Sequence, residues 1–597
     1  MSIPKLLPFL LTALAAAQDP GTTYRFRVRG LDPHQAHELE ARYDILHSAN
    51  RDGSYDVCVA PEDKDEFLRA VPQAVLVDRG RPYAQIVAEQ QGPLAPDANY
   101  FTVAEVLQKM DQLAGLYPGL ARRVDLATIP GAAKTHNGQS LWALKVSDAV
   151  ANDEDEPAIL IVGQHHAREL NAPYMVIQAM ERLLSGYASD PTLKSVVDGC
   201  ELWFVPTVNP DGVDHVWNVD SLWRKNRRNN GSSYGVDNNR NYATLWGLCG
   251  SSTTPSSETY RGPSAASEPE TQTMAALVAH VRPEVYLDFH SYGQEVLRTY
   301  APCATVNPTI AAFLQRYVDD LRAPMTYNNR APSGSGEAPE DHWVRSGTLS
   351  FLIEVGTSFQ PVFSVTQTEE ARVWPGIRRA LTAWRPAVRG HVRSVSGLAP
   401  LAATITFAPG LFSHGEQTVA RARDGRFGLW LPLGTWQVTF TAAGHQPYTK
   451  TVTVSAYDTP QTLEVDLEPI WSAAALAKQG SDRVGTTTQL TYTSAGDGGE
   501  AYWVALSGGT TPGIPLNNRT IPLNLDGILI ASATPGAVLA NNVGILPASG
   551  QAVAAFAIPP IPALAGITLY AGGITLGPGY ASQVKKFSPA LAIQIQP

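Results

Sequence analysis

The run Ala158-Ile159-Leu160-Ile161-Val162 constrains the fold more than any other stretch of this chain. Five consecutive apolar residues, three of them β-branched, suit a strand covered on both faces rather than one with a wet side. Asn171 to Ser185 follows with helical periodicity through Met175, Met180, Leu183 and Leu184. Leu202 to Val205, Val285 to Phe289 and Leu349 to Ile353 repeat the strand signal. Buried strands alternating with helices predict an open, mixed or largely parallel sheet with helices on both faces. This α/β pattern runs from about Tyr100 to Val388 and is the segment expected to carry chemistry.

In open sheets of this kind, ligands collect outside the carboxyl ends of the strands. The first strand opens into Gly163-Gln164-His165-His166-Ala167-Arg168-Glu169, so His166 and Glu169 leave it where a metal ion could sit. Alone, a His and a Glu three residues apart usually mark a solvated turn. Here His290 ends Val285–Phe289, and Glu354 ends Leu349–Ile353, where a carboxylate after an apolar run needs a reason. Three strands each deliver a metal- or proton-handling residue to one sheet edge, which coincidence explains poorly. His37-Glu38, by contrast, lacks the second His of a His-Glu-x-x-His site and reads as a solvated helix face.

A chain of 597 residues exceeds a single hydrophobic core, so flanking domains are expected. Lys5, the apolar stretch Leu6 to Leu14 and Ala15-Ala16-Ala17 read as a signal peptide over 1–17. The apolar stretch is too short to span a bilayer. The expectation is a secreted protein, or a periplasmic one in a double-membraned host, with no stable membrane insertion. Residues 18–83 alternate strand-like and helical runs and form a small α+β module. Residues 84–99, punctuated by Gly92, Pro93 and Pro96, read as a linker.

The catalytic segment is assigned 100–388. Beyond it the helical pattern stops, and residues 389–469 show period-two runs such as Trp436 to Ala442, as in a β-sandwich. Residues 470–597 hold only nine charged residues from Ser472 on, yet keep frequent Leu, Ile and Val. A second β-sandwich of unknown role fits better than a disordered tail, and surface or matrix attachment is one role open to the two β domains. The net charge of −10 argues against nucleic-acid binding. Four cysteines are too few for a disulfide-built scaffold. Cys249 and Cys303 are the preferred pair, both falling in loops of one domain, while Cys200 reads as a small buried hydrophobe.

Over roughly Tyr100 to Val388 the chain resembles the zinc carboxypeptidases of the carboxypeptidase A and B type. The motifs that carry the resemblance include His166-Ala167-Arg168-Glu169, Asn209-Pro210-Asp211-Gly212, Trp223-Arg224-Lys225, Gly235-Val236-Asp237-Asn238-Asn239-Arg240-Asn241, Ser267-Glu268-Pro269-Glu270-Thr271 and His290-Ser291-Tyr292. The resemblance implies one zinc ion on His166, Glu169 and His290, the His₂Glu set known from carboxypeptidase A. It implies Glu354 as general base and Arg224 as oxyanion stabiliser, with Asn239 and Arg240 holding the terminal carboxylate of a peptide or protein substrate. Arg168 and Tyr292 match positions lining the peptide groove. Lys225, Arg227 and Arg228 read as a solvated basic loop.

The family's mobile Tyr is missing from its usual place. Alignment on Ser333-Gly334 puts Arg330 there, and Tyr327 substitutes only if the loop shifts. Asp341 reads either as an acidic pocket residue for a basic terminal side chain or as a structural partner of Trp343. Leu352 suggests an apolar wall, so apolar or mixed specificity is the leaning. Residues 18–83 stand where a propeptide stands in relatives made as inactive precursors. Residues 389–469 resemble the transthyretin-like sandwich of regulatory carboxypeptidases, through Gly390-His391-Val392 and Asp424-Gly425-Arg426-Phe427 among others. Two competing functions remain at this point: a cell-wall peptide hydrolase of the same superfamily, and an inactive adhesive binding protein.

Overall fold

The computed structural model describes residues 21–597 except 33–34, 37–38, 40–41, 47–51, 91–99, 409, 471–473, 517–518, 578–579 and 581–582. The signal peptide, His37-Glu38 and the second half of the linker therefore lie outside the described residues. The chain divides into two compact units, Met1–Arg385 with Gly410–Glu416, and Pro386–Pro409 with Gln417–Pro597.

In the first unit the N-terminal module is a four-stranded antiparallel sheet. Strands β1 (Tyr24–Val28), β2 (Asp44–Leu46), β3 (Tyr55–Val59) and β4 (Val75–Arg79) take the order β2-β3-β1-β4. Phe26, Val28, Val57 and Val59 alternate inward and meet Phe67 of the helix Lys64–Ala70. The linker expectation needs correction at 84–90, because Tyr83–Gln90 is a helix. The Tyr83 ring packs edge-on against Trp217 and Tyr100, so burial of an aromatic anchors this helix.

The central sheet has eight strands: β5 (Ala121–Asp125), β6 (Trp142–Val146), β7 (Ala158–Gly163), β8 (Glu201–Val205), β9 (Pro283–His290), β10 (Glu295–Leu297), β11 (Asn328–Arg330) and β12 (Leu349–Glu354). Their order is β11-β10-β12-β9-β7-β8-β6-β5. The middle strands β12, β9, β7 and β8 run parallel, whereas β5, β6 and β10 add antiparallel pairings. Residues of β7 divide between the two faces. Leu160 and Val162 share a core with Met274, Leu277 and Val278 of the helix Pro269–Val281. Gly163 faces the other way, so close to Ala172 and Val176 of the helix Ala172–Gly186 that an added Cβ would lie 3.2–3.3 Å from them. Both faces are covered, which is why β7 reads as an unbroken apolar run.

The second unit is mainly β. Val388–Ser394, Arg426–Leu429, Gln461–Thr462 and Val465–Leu467 form one sheet, and Thr404–Phe407, Thr418–Val419, Gly434–Thr441 and Tyr448–Val454 another. The rings of Phe427 and Phe440, 5.4 Å apart, join the two. Further on, Tyr492 and Phe556 of one sheet share a core with Val504 and Ile593 of the next. This last region is not purely β, since Gly527–Ala533 is helical behind an Asp526 side-chain cap. No helix among the described residues is long and apolar enough to cross a membrane.

Candidate active site

Strands β7, β9 and β12 lie side by side and point the same way, so their carboxyl ends reach one edge. Register sets His290 beside Glu354 and Gly163 beside Phe289. Beyond Gly163 the chain turns through Gln164 in a left-handed conformation, with φ 63°. The turn is pinned by Ala167 N on Arg224 O at 3.0 Å and by Thr207 Oγ1 on Gln164 Oε1 at 2.9 Å. It brings His166 and Glu169 to His290.

There the donor atoms converge. His166 Nδ1 lies 2.8 Å from Glu169 Oε1, His290 Nδ1 lies 3.1 Å from Glu169 Oε2, and the two Nδ1 atoms are 3.0 Å apart. Two imidazole nitrogens so close, both turned to one carboxylate, make an N₂O donor set, and zinc fits it. The far nitrogens are backed by carboxylates. His166 Nε2 is 3.2 Å from Asp237 Oδ1, and His290 Nε2 is 3.3 Å from Asp288 Oδ2. Such pairs fix ring orientation and raise ligand basicity.

The electrostatics follow the same layout. Burial, then Arg224, lowers the pKa of His166. For His290 burial acts in the same direction, but Asp288 and Glu169 outweigh it and raise the value well above the usual range. Glu354 lines the cleft beside Glu169. Burial first, and the Glu169 charge second, push its carboxyl up to about 8. Its Oε2 is buried with no hydrogen-bond partner among the described residues.

Asp237 ties the remaining groups together. One oxygen accepts from Asn239 N at 2.9 Å and faces His166, while the other accepts from Arg224 Nε and Nη2 at 3.1 and 2.9 Å. Asn239 Oδ1 accepts from Ala338 N at 2.9 Å, leaving Nδ2 buried and unpartnered among the described residues. Arg240 donates through Nε to Gly250 O at 2.9 Å and through Nη1 to Glu337 Oε1 at 2.9 Å. The approach requires glycine: a Cβ on Gly334 would sit 2.7 Å from Arg240 Nε, and one on Gly250 only 2.1 Å from Ser333 O. The Cys249–Cys303 disulfide, as expected, holds this loop, and Cys58 and Cys200 are buried thiols.

A single cleft is lined by all nine residues singled out in the sequence: His166, Glu169, His290, Glu354, Arg224, Asn239, Arg240, Arg168 and Tyr292. Arg330 lines it as well, with Nε on Glu295 Oε2 at 2.7 Å and Nη2 3.8 Å from Glu354 Oε1. Tyr327 does not replace the missing Tyr, because it is buried with its hydroxyl on Glu369. Asp341 accepts from Thr244 N and Oγ1 at 2.9 and 2.8 Å and is absent from the cleft wall, so it is structural. Lys225 corrects the solvated-loop reading: it is 2 % exposed, and its Nζ meets the carbonyls of Pro255, Ser256 and Ser257 at 2.9–3.2 Å. Three converging carbonyls replace the water that such a cation otherwise needs.

The site also rests on residues that sequence reasoning passed over. Asp237 stood inside a quoted motif. Asp288 interrupts an apolar strand, the same signal that singled out Glu354. Asp44 of β2 gave no signal at all, yet Tyr43, Asp44, Ile45 and Leu46 line the cleft. Asp44 Oδ2 accepts from Arg168 Nη2, and Oδ1 lies 3.8 Å from Arg224 Nη1.

Residues 106–349 match the family model described as zinc carboxypeptidase, a span that stops just short of Glu354. The chain is 38 % identical over 153 residues to a zinc carboxypeptidase of Saccharothrix mutabilis subsp. capreolus, covering 25 % of this chain and 34 % of that one. It is 30 % identical over 224 residues to a Talaromyces marneffei protein named an inactive metallocarboxypeptidase, covering 36 % and 37 %. The chain thus spans about a third of the length of these curated relatives. Among solved structures, carboxypeptidase A from Helicoverpa armigera shares the fold, with a TM-score of 0.51 at 22 % identity over 61 % of this chain and 98 % of that one. With its His₂Glu donor set and this family match, the segment 106–349 is a zinc carboxypeptidase domain.

Proposed function

We propose that this protein is an exported zinc metallocarboxypeptidase that hydrolyses the last peptide bond of peptides and proteins. The observation that carries the reading is Glu354, whose Oε2 is buried with no hydrogen-bond partner among the described residues, beside the His166, Glu169 and His290 donor set. When bound, zinc supplies Lewis acidity and brings the pKa of a coordinated water to about 7. Glu354 takes the proton from the attacking water and passes it to the leaving amine. Arg224, held in place by Asp237, faces the developing oxyanion. Arg240 and the free amide of Asn239 hold the terminal carboxylate and so set the distance from substrate end to scissile bond. The intact donor set favours this over an inactive binding protein.

The N-terminal module acts as an inhibitory pro-segment in this reading. Asp44 occupies both Arg168 and Arg224, the groups a substrate would need. Residues 389–469 are read as a transthyretin-like sandwich on the motifs Gly390-His391-Val392 and Asp424-Gly425-Arg426-Phe427. The test is purified protein assayed for release of terminal residues, with metal analysis of a Glu354→Gln variant. Stoichiometric zinc with activity reduced at least about 10³-fold is expected. Activity untouched by that change would sink the mechanism. Preferential cleavage of wall fragments with D-residues over ordinary L-peptides would favour the cell-wall alternative.

A further inference from the structure

The loop joining the strands Thr404–Phe407 and Thr418–Val419 does not stay with its sandwich. Gly410–Glu416 belongs to the first compact unit, although the strands on either side belong to the second. Surface loops are ordinarily solvated, yet here Leu411 is 5 % exposed and Glu416 6 %. Asn307, at the N-cap of the helix Pro308–Met325, donates to Gly410 O at 2.5 Å. The Phe412 ring lies 6.1 Å from that of Trp343, and the His414 ring 5.5 Å from that of Tyr300. Two donors converge on the Glu416 carboxylate: the Tyr300 hydroxyl on Oε1, and His414 N on Oε2 at 2.7 Å. A buried carboxylate needs such donors in place of water, so the pair with Tyr300 fixes the seat of the loop.

The two aromatic residues gripped by this loop belong to the segments that aim Arg240. Tyr300 stands just before Cys303, whose disulfide to Cys249 holds the loop where Gly250 O accepts from Arg240 Nε at 2.9 Å. Ala301 N donates to Glu340 Oε1 at 3.4 Å. The other oxygen of Glu340 accepts from Gly336 N at 3.1 Å, next to Glu337, which accepts from Arg240 Nη1. Trp343 lies on the same helix as Glu340, Ala338–Ser346. Both bonds that tie the Arg240 guanidinium to other segments therefore trace back to the seat of the loop. We propose that Glu416, acting through Tyr300, is a positioning residue for the clamp that takes the substrate's terminal carboxylate. The proposal rests on the carboxypeptidase reading. The metal end hangs from β7, β9 and β12 and lies off this route, so the loop governs substrate capture and leaves the chemical step alone.

The test is steady-state kinetics on one peptide with the full chain carrying Asp44→Ala, compared with the same chain bearing Tyr300→Phe, Glu416→Ala or both. KM does not depend on the amount of folded protein, and kcat is expressed per bound zinc. Tyr300→Phe removes one hydroxyl and keeps the ring on His414, so it still decides the matter if Glu416→Ala fails to fold. Each change removes a buried hydrogen bond to a charged group, and KM should rise about tenfold while kcat stays within about twofold. The double variant should be no worse than the more affected single one, because both changes cut the same bond. An unmoved KM in Tyr300→Phe, a loss confined to kcat, or additive effects on KM overturns the proposal while leaving the carboxypeptidase reading standing. Failure of the parent to release any terminal residue overturns that reading and the proposal with it.

Discussion

The two ends of the cleft are built on different principles. At the metal end, His290 and Glu354 sit in register at the tips of neighbouring parallel strands, with His166 and Glu169 just past the tip of a third. At the pocket end, Arg240, Gly250, Arg330 and Glu337 come from a short turn, a disulfide-held loop, an edge strand and a helix cap. The first end borrows its precision from the sheet, where register leaves little freedom. The second depends on side chains satisfying one another across loops, and its chemistry can change without disturbing the sheet. A scaffold of this kind fixes the reaction and leaves selectivity adjustable.

The largest expected effect beyond loss of the base lies at the metal end. Replacing Arg224 by Ala should lower kcat by about 10²–10³-fold, the usual cost of removing an oxyanion donor, with KM changed far less. A loss confined to KM would move Arg224 to the pocket side of the comparison.

Next comes the contact that joins the N-terminal module to the metal end. Asp44→Ala in the uncut chain should raise activity about tenfold or more, since one buried carboxylate facing two guanidiniums is removed. Burial pushes the Asp44 carboxyl up, but Arg168 and Arg224 outweigh it and hold the pKa below the ordinary value. A lowered pKa in the docked form means the contact is intact at neutral pH and is lost only as pH falls through that lowered value. The activity ratio of Asp44→Ala to the parent should stay flat from pH 7 to pH 5 and converge only below about pH 4. Convergence already at pH 6 would mean that some other group governs docking.

The smallest effect separates structure from selectivity at the pocket end. Asp341→Ala removes the acceptor of two Thr244 donors and should cost about 1–3 kcal/mol of stability. The ratio of basic to apolar cleavage should not move. A shift in that ratio would return Asp341 to the pocket.

The metal end was legible because a functional residue there breaks a strong local pattern. Glu354 and His290 follow apolar runs, and a polar group at the end of a doubly covered strand has few bland explanations. Asp288 carried a similar signal and was passed over. The linker expectation at 84–90 failed because flanking Gly and Pro outweighed a helix that depends on burying Tyr83 against Trp217. Lys225 looked solvated because charge in sequence says nothing about three carbonyls closing on it from residues 255–257.

By itself the sequence determined the doubly covered sheet and the edge where its strands end. Those are consequences of hydrophobic periodicity, which acts over a few residues and survives any change of neighbours. Only the tertiary structure decided that Asp44 lies on Arg168, that Asp341 turns away, and that Glu337 pairs with Arg240. Each of these depends on which side chains meet across at least 97 residues of chain. Ion pairing at such separations is set by packing, and no local pattern records it.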